Sequence, residues 1–399
     1  MTRRAISREA RSEYGLLLAC ARMVLPPDGK ERLRALLAQP LDWDWLLAAA
    51  ERHGLLPLLY THLKANAADL VPAASMETLR RLFEENLARA MSLTGTLHKV
   101  VALLASRDVV AIPYKGPVVA QQLYGNLALR PFADLDLLIR HRDVPCAARL
   151  LLESDFHAES GCAIEWSALA EAPTAGQFVF VAEDGALVEL HSERTLRHFP
   201  RPLDIEWLFA NATTVSLAGR DVRTLAPDRL LLALAVHGAK DFWAQLKWIC
   251  DIAELFRATP SLDWTALWSD ARRFGCERML LLALRLAQDL LGADTSKASG
   301  VPHGEPIGSG DPAVASLSAQ VAAQLITRDL SGNLGSAPER FLFRARMCSR
   351  TWVGLHYALR LTFSPADDDR PFAGLPPALA RPFRLLGKYG IARGHSRSM

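Results

Sequence analysis

The chain has 399 residues, 50% hydrophobic, 8% aromatic and 22% charged, a globular balance that excludes a disordered tail, a collagenous chain and a small disulfide scaffold. Its 46 Lys and Arg against 43 Asp and Glu leave a formal charge of +3, too small to mark a nucleic-acid or anionic-membrane partner, so any basic site has to be local. Six scattered cysteines (Cys20, Cys146, Cys162, Cys250, Cys276, Cys348) form no CxxC pair and no zinc-type spacing with histidine, and neither a signal peptide nor a spanning helix is legible, so a reduced, cytoplasmic setting is expected.

A length of this order implies about two or three domains, and the composition divides the chain into three zones. Residues 1–107 read as an N-terminal helical region, with Trp43, Leu46, Leu47 and Ala50 at helical spacing and breaks at Pro26-Pro27 and Asp28-Gly29,. Residues 108–224 switch to short β-type runs: VVAIPY at 109–114, LDLLI at 135–139, QFVFVA at 177–182 and ALVEL at 186–190. The last two flank Glu183-Asp184-Gly185, a hairpin signal. Residues 225–399 return to helix, with a Gly/Pro/Ser-rich flexible connection at 292–312,. The fold class expected is α+β, a small mixed β-sheet flanked by N- and C-terminal helical regions.

The chemistry concentrates between Tyr114 and Arg140. A candidate helix over Val118–Tyr124 leads to a strand bearing Asp134-Leu135-Asp136, and strand alternation puts both carboxylates on one face. Like charges that close repel unless a cation lies between them, and a hard divalent ion such as Mg²⁺ answers that need. The same pair also fits a structural role, one Asp ending a loop and the other pairing with Arg130 or Arg140. Lys115-Gly116 precedes the pair, and a glycine at a strand-to-helix turn lets backbone N–H groups approach phosphate. Glu189 stands on the back strand of the hairpin with Leu187 and His191 as same-face neighbours, while Val188 and Leu190 face the core.

The order strand, glycine turn, helix, DxD strand, then a third carboxylate on a neighbouring strand resembles the nucleotidyltransferase fold of the DNA polymerase β superfamily. More narrowly, KGPVVAQQLYGNLALRPFADLDLLI, VELHSERTLRHF and HGAKDFWAQLKWICDIAELF resemble an uncharacterised bacterial nucleotidyltransferase family. The flanks LDWDWLLAAAERHGLLPLL and RPFRLLGKYG extend the likeness. The resemblance implies Asp134, Asp136 and Glu189 as ligands of two metal ions, Mg²⁺ with Mn²⁺ as the substitute, and Gly116 in the phosphate turn. Three departures stand out: Gly116-Pro117 replaces a Gly-Ser turn, Glu189 stands where Asp is frequent, and Asp241 where His is common.

Lys115 and Arg130 are the nearest cations for triphosphate charge. Read as one helix, the segment from Leu232 to Phe256 puts His237, Lys240, Asp241, Lys247, Trp248 and Asp251 on one broad face,. That face suits either the wall of a nucleotide cleft, with Lys240 or Lys247 on phosphate, or a salt-bridge network between helices. His191 fits a ligand-orienting or a structural role.

The expected activity is metal-dependent transfer of a nucleoside monophosphate from an NTP to a hydroxyl acceptor, a small molecule, saccharide or peptide rather than nucleic acid. Three alternatives remain at this stage: a weak or inactive binding and regulatory module, phosphoryl transfer by the same carboxylates, and a tRNA-directed toxin.

Overall fold

The structure is a computed structural model that describes residues 12–158, 176–192, 203–298, 310–327 and 336–348. Four short helices open it: α1 (Ser12–Cys20), α2 (Gly29–Leu37), α3 (Trp43–Arg52) and α4 (Leu56–Asn66). Asp42 begins α3 by accepting the Trp45 backbone N–H at 3.0 Å, which satisfies a donor that the first turn leaves open. A 33-residue helix, α5 (Ala73–Ala105), then runs to the sheet.

The central zone contains β1 (Ala111–Pro113), α6 (Pro117–Tyr124), β2 (Asp134–Ile139), α7 (Val144–Leu152), β3 (Phe156–Ala158), β4 (Gln177–Ala182) and β5 (Leu187–His191). The strands form one sheet in the order β1-β2-β5-β4-β3. Its centre is a parallel pair, β2 with β5, and the other pairings are antiparallel. The Asp-Gly hairpin between β4 and β5 forms as the sequence predicts, with Gly185 at φ +81° and Ala182 donating to Ala186 at 2.9 Å. A separate hairpin, β6 (Thr213–Leu217) with β7 (Arg220–Thr224), follows a short helix α8 (Ile205–Phe209).

Alternation gives the sheet two unlike faces. Leu135, Leu137, Ile139, Phe178, Phe180, Val188 and Leu190 are buried together with Leu97, Val100 and Leu104 of α5 and Ala147, Ala148 and Leu151 of α7. Each large aliphatic or aromatic side chain hidden there contributes about 1.5–3 kcal/mol. On the opposite face, Ile112, Tyr114 and Leu138 join a second, larger core, and between them lies the polar row of Asp134, Asp136, Glu189 and His191.

The C-terminal helices are α9 (Pro227–Lys240), α10 (Leu246–Ala258), α11 (Trp264–Phe274), α12 (Glu277–Leu291), α13 (Pro312–Thr327) and α14 (Ala337–Met347). Their buried residues and those of α1–α4 form one continuous cluster. Arg22 donates to the Leu291 carbonyl at 3.0 Å, and the Met23 N–H donates to Glu254 at 2.9 Å. The described helices before and after the sheet therefore pack together on its polar side. No helix among the described residues is long and apolar enough to cross a membrane. Part of the flexible connection expected at 292–312, the ERTLRHF end of the VELHSERTLRHF segment, and the C-terminal RPFRLLGKYG segment lie outside the described residues.

One expectation needs correction. The segment from Leu232 to Phe256 is not one helix: it breaks between α9 and α10, where Phe242 and Trp243 take φ of +61° and +51°. Bulky residues rarely occupy that region, and here packing holds them in it. The Trp243 N–H donates to the Gly238 carbonyl at 2.8 Å, and the fully buried Trp243 ring lies where a Cβ on Gly238 would meet it at 2.6 Å.

Candidate active site

Lys115 reaches the site because β1 runs antiparallel to β2, and the Tyr114 N–H extends that pairing by donating to the Asp136 carbonyl at 3.3 Å. The chain then turns sharply at Gly116 (φ +58°, ψ −130°), which precedes Pro117 at the start of α6. Only glycine adopts that conformation without strain, and an added Cβ would lie 3.2 Å from the Asp134 carbonyl oxygen. The turn thus sets Lys115 against β2 and seats the helix over the strand.

Four of the expected residues meet directly. Lys115 Nζ donates to Asp136 Oδ1 at 2.7 Å, and His191 Nε2 lies 2.8 Å from the same oxygen. The parallel register places Asp136 directly beside Glu189, so His191 Nε2 is also 3.2 Å from Glu189 Oε2. Nε2 between two carboxylate oxygens carries the ring hydrogen, and Nδ1 is buried with no partner among the described residues. Gln177 of β4 donates to Glu189 Oε2 at 2.7 Å. The His191 ring stands edge-on to Tyr114, 5.8 Å between centroids, and Lys115 Nζ sits 4.9 Å from the Tyr114 ring centre.

The electrostatics follow from this packing. Burial alone would raise the Asp136 carboxyl, but the Lys115 charge and the His191 hydrogen bond hold it well below the usual carboxylate range,. Burial also works against the Lys115 ammonium, and the Asp136 carboxylate overrides it, leaving the amine more basic than an ordinary lysine. Asp134, half-buried at the start of the strand, is pushed up by burial and by the Asp136 charge.

The other expected residues are distributed around this centre. His237 and Lys240 of α9 line a cavity of about 60 Å³ with Tyr114, Lys115, Leu138 and His191. Burial and then the Lys115 charge push His237 well below its ordinary value, so its ring is neutral where it contacts Asp241 (3.1 Å) and Trp248 (5.1 Å between centroids). Lys247 of α10 opens instead into a second cavity of about 240 Å³, shared with Gly54, Leu82, Asn86, Arg89 and Ala133. Arg130 is engaged elsewhere: its guanidinium holds Asp251 through three hydrogen bonds of 2.8–3.0 Å, with Tyr124 donating to the same carboxylate at 2.8 Å.

The sequence reading missed Gln177 and Tyr114. Gln177 was recoverable, because the hairpin register that the Asp-Gly turn fixes pairs it with His191 and brings it beside Glu189. Tyr114 carried no signal beyond its place before Lys115.

One atom each from Asp136, Glu189 and His191 lies within 4.8 Å of the others, the compact donor group among the described residues. Asp136 Oδ2 and Glu189 Oε1 accept no hydrogen bond among those residues, and two carboxylates that each keep an oxygen open are donors for a divalent cation, while the His191 Nε2–H holds their other oxygens in place. The residues therefore fit one such ion. Asp134 lies outside that group, two residues along the same strand face.

Among known proteins, the chain is similar to the crystal structure of an antigenic nucleotidyltransferase-like protein from Paracoccidioides brasiliensis, with 18% identity and a TM-score of 0.30 over 50% of this chain and 92% of that one. No curated protein matches it. Residues 39–292, which span the site and the helices on both sides of it, match the family described as Uncharacterised nucleotidyltransferase, and the chain belongs to that family.

Proposed function

We propose that the chain is a metal-dependent nucleotidyltransferase that moves a nucleoside monophosphate from an NTP to a hydroxyl-bearing acceptor and releases pyrophosphate. The observation that carries this reading is the buried Asp136–Glu189–His191 group on the parallel strand pair in a chain of this family.

Asp136 and Glu189 would hold the divalent ion with His191 beside them, and Asp134 adds the next carboxylate of the row. The ion supplies positive charge to the phosphate oxygens as negative charge builds on them. Carboxylate oxygens suit Mg²⁺, with Mn²⁺ as its substitute. Lys115, Lys240 and Lys247 stand as the basic groups around the row, on the phosphate side of the reaction. The acceptor hydroxyl oxygen bonds to the α-phosphorus as the bond to the pyrophosphate oxygen breaks, its proton passing to water, and such a transfer requires the two oxygens to be held in line with the phosphorus. Positioning and charge stabilisation do most of the catalysis in such a transfer.

The test is transfer of label from an α-labelled NTP. Asp136→Asn is expected to abolish it while circular dichroism stays native, and retained transfer removes the metal assignment. A second reading, a catalytically weak or inactive binding or regulatory protein of the same fold, is favoured by Pro117, which deprives the turn of a backbone donor,. Calorimetry separates the two: that reading requires metal-dependent NTP binding to be absent, or present without turnover.

A further inference from the structure

The polar row already contains a cation. Lys115 Nζ is 2.7 Å from Asp136 Oδ1, its side chain is only 12% exposed and that of Asp136 only 4%. This is a fixed contact rather than a surface pair that solvent would exchange freely.

Counting acceptors shows what it leaves open. Asp136 Oδ1 takes both Lys115 and His191, and Glu189 Oε2 takes both Gln177 and His191. The oxygens of the pair that remain are Asp136 Oδ2 and Glu189 Oε1, one from each carboxylate. A two-ion arrangement needs a carboxylate in the middle of the row that gives one oxygen to each ion, and Asp136 has one oxygen to give. Charge leads to the same result. Asp134, Asp136 and Glu189 carry three negative charges, the ammonium cancels one, and a single divalent ion neutralises the remainder.

We infer that Lys115 is the resident counter-cation of this site, occupying the place of a second ion, so that the carboxylate row binds one divalent cation rather than two. This rests on the metal-dependent reading above and specifies how that site is built. Lys115 is then a positioning residue for Asp136: it fixes which oxygen faces the ion, and it supplies a permanent positive charge beside the phosphates. Gly116 maintains the arrangement, because the turn it permits sets Lys115 against the strand.

The experiment is a titration of the full chain with Mn²⁺ alone, without nucleotide, to millimolar concentration, followed by calorimetry and by the loss of the free-ion electron paramagnetic resonance signal. The native chain is expected to bind one Mn²⁺. Lys115→Met is expected to bind a second, and Lys115→Arg, which keeps the charge, to remain at one. Two ions on the native chain, or one on a folded Lys115→Met chain, overturn the proposal. If Lys115→Met does not fold, the native stoichiometry and the Lys115→Arg titration still decide it. No binding at all by the native chain is a different failure: it removes the metal-dependent reading itself and the inference with it.

Discussion

Two buried ion pairs lie on the same side of the sheet, and they are built to opposite ends. Arg130 and Asp251 are 5% and 0% exposed, and the carboxylate is saturated: three contacts from the guanidinium and one from the Tyr124 hydroxyl use both oxygens. Lys115 and Asp136 are nearly as hidden, yet theirs is an unfinished set. Among the described residues, one oxygen of Asp136 is crowded, the other accepts nothing, the His191 Nδ1 has no partner, and a cavity adjoins the amine. A planar guanidinium suits a closed, bidentate lock, whereas an ammonium on a flexible stem leaves neighbouring acceptors to a ligand. The first pair ties α10 to the loop ahead of β2. The second is available for chemistry.

Breaking the closed pair is expected to have the largest effect. Asp251→Asn leaves the Arg130 charge buried with a neutral partner and is expected to cost about 3–5 kcal/mol, read as a fall in the urea midpoint that added Mn²⁺ raises only as much as it raises the native one. Lys115→Met is expected to cost less, about 1–3 kcal/mol, because His191 still donates to Asp136. Mn²⁺ should raise its midpoint further than it raises that of the native chain or of Asp251→Asn, because each ion that binds only the folded chain adds about 2.7 kcal/mol at a hundredfold excess over its dissociation constant and this variant takes up two. Equal responses of the two variants to Mn²⁺ would erase the distinction between lock and site. Gly116→Ala is expected to cost about 1–3 kcal/mol through strain at positive φ, read as a fall in the urea midpoint.

The strands, the Asp-Gly hairpin and the apolar face were legible because they depend on local rules: period-two alternation and one turn type. The pairing of Asp136 with Glu189 was legible only as a shared strand face, since the parallel register of β2 and β5 is set by tertiary packing. Arg130 shows where sequence distance misleads. It lies four residues before Asp134 and reads as a phosphate cation, but its partner is Asp251, 121 residues away. The helix from Leu232 to Phe256 failed for a related reason. No propensity rule sets a tryptophan at positive φ; a buried ring seated on Gly238 does.

Lys247 gives the subtlest test, because it belongs to neither pair but lies between them. Its stem rests on Gly54, where a Cβ would come within 2.5 Å of the lysine Cδ, and its amine makes one long contact, 3.4 Å, to the Pro131 carbonyl. Burial, and then the positive charge of Arg130, push the amine down to about 8. The sign follows from proton counting. Between pH 8 and about 10.4, the ordinary lysine value, the unfolded chain binds a proton that the folded chain does not, so stability rises with pH across that window; below pH 8 the penalty is fully present. Lys247→Met removes the penalty. The variant is therefore expected to melt above the native chain at pH 7, with the gap closing as pH approaches 10. A gap that stays constant would mean the amine is solvated in its cavity, and it would leave Lys247 an ordinary surface cation rather than a group whose charge waits for an anion to enter beside Asp134.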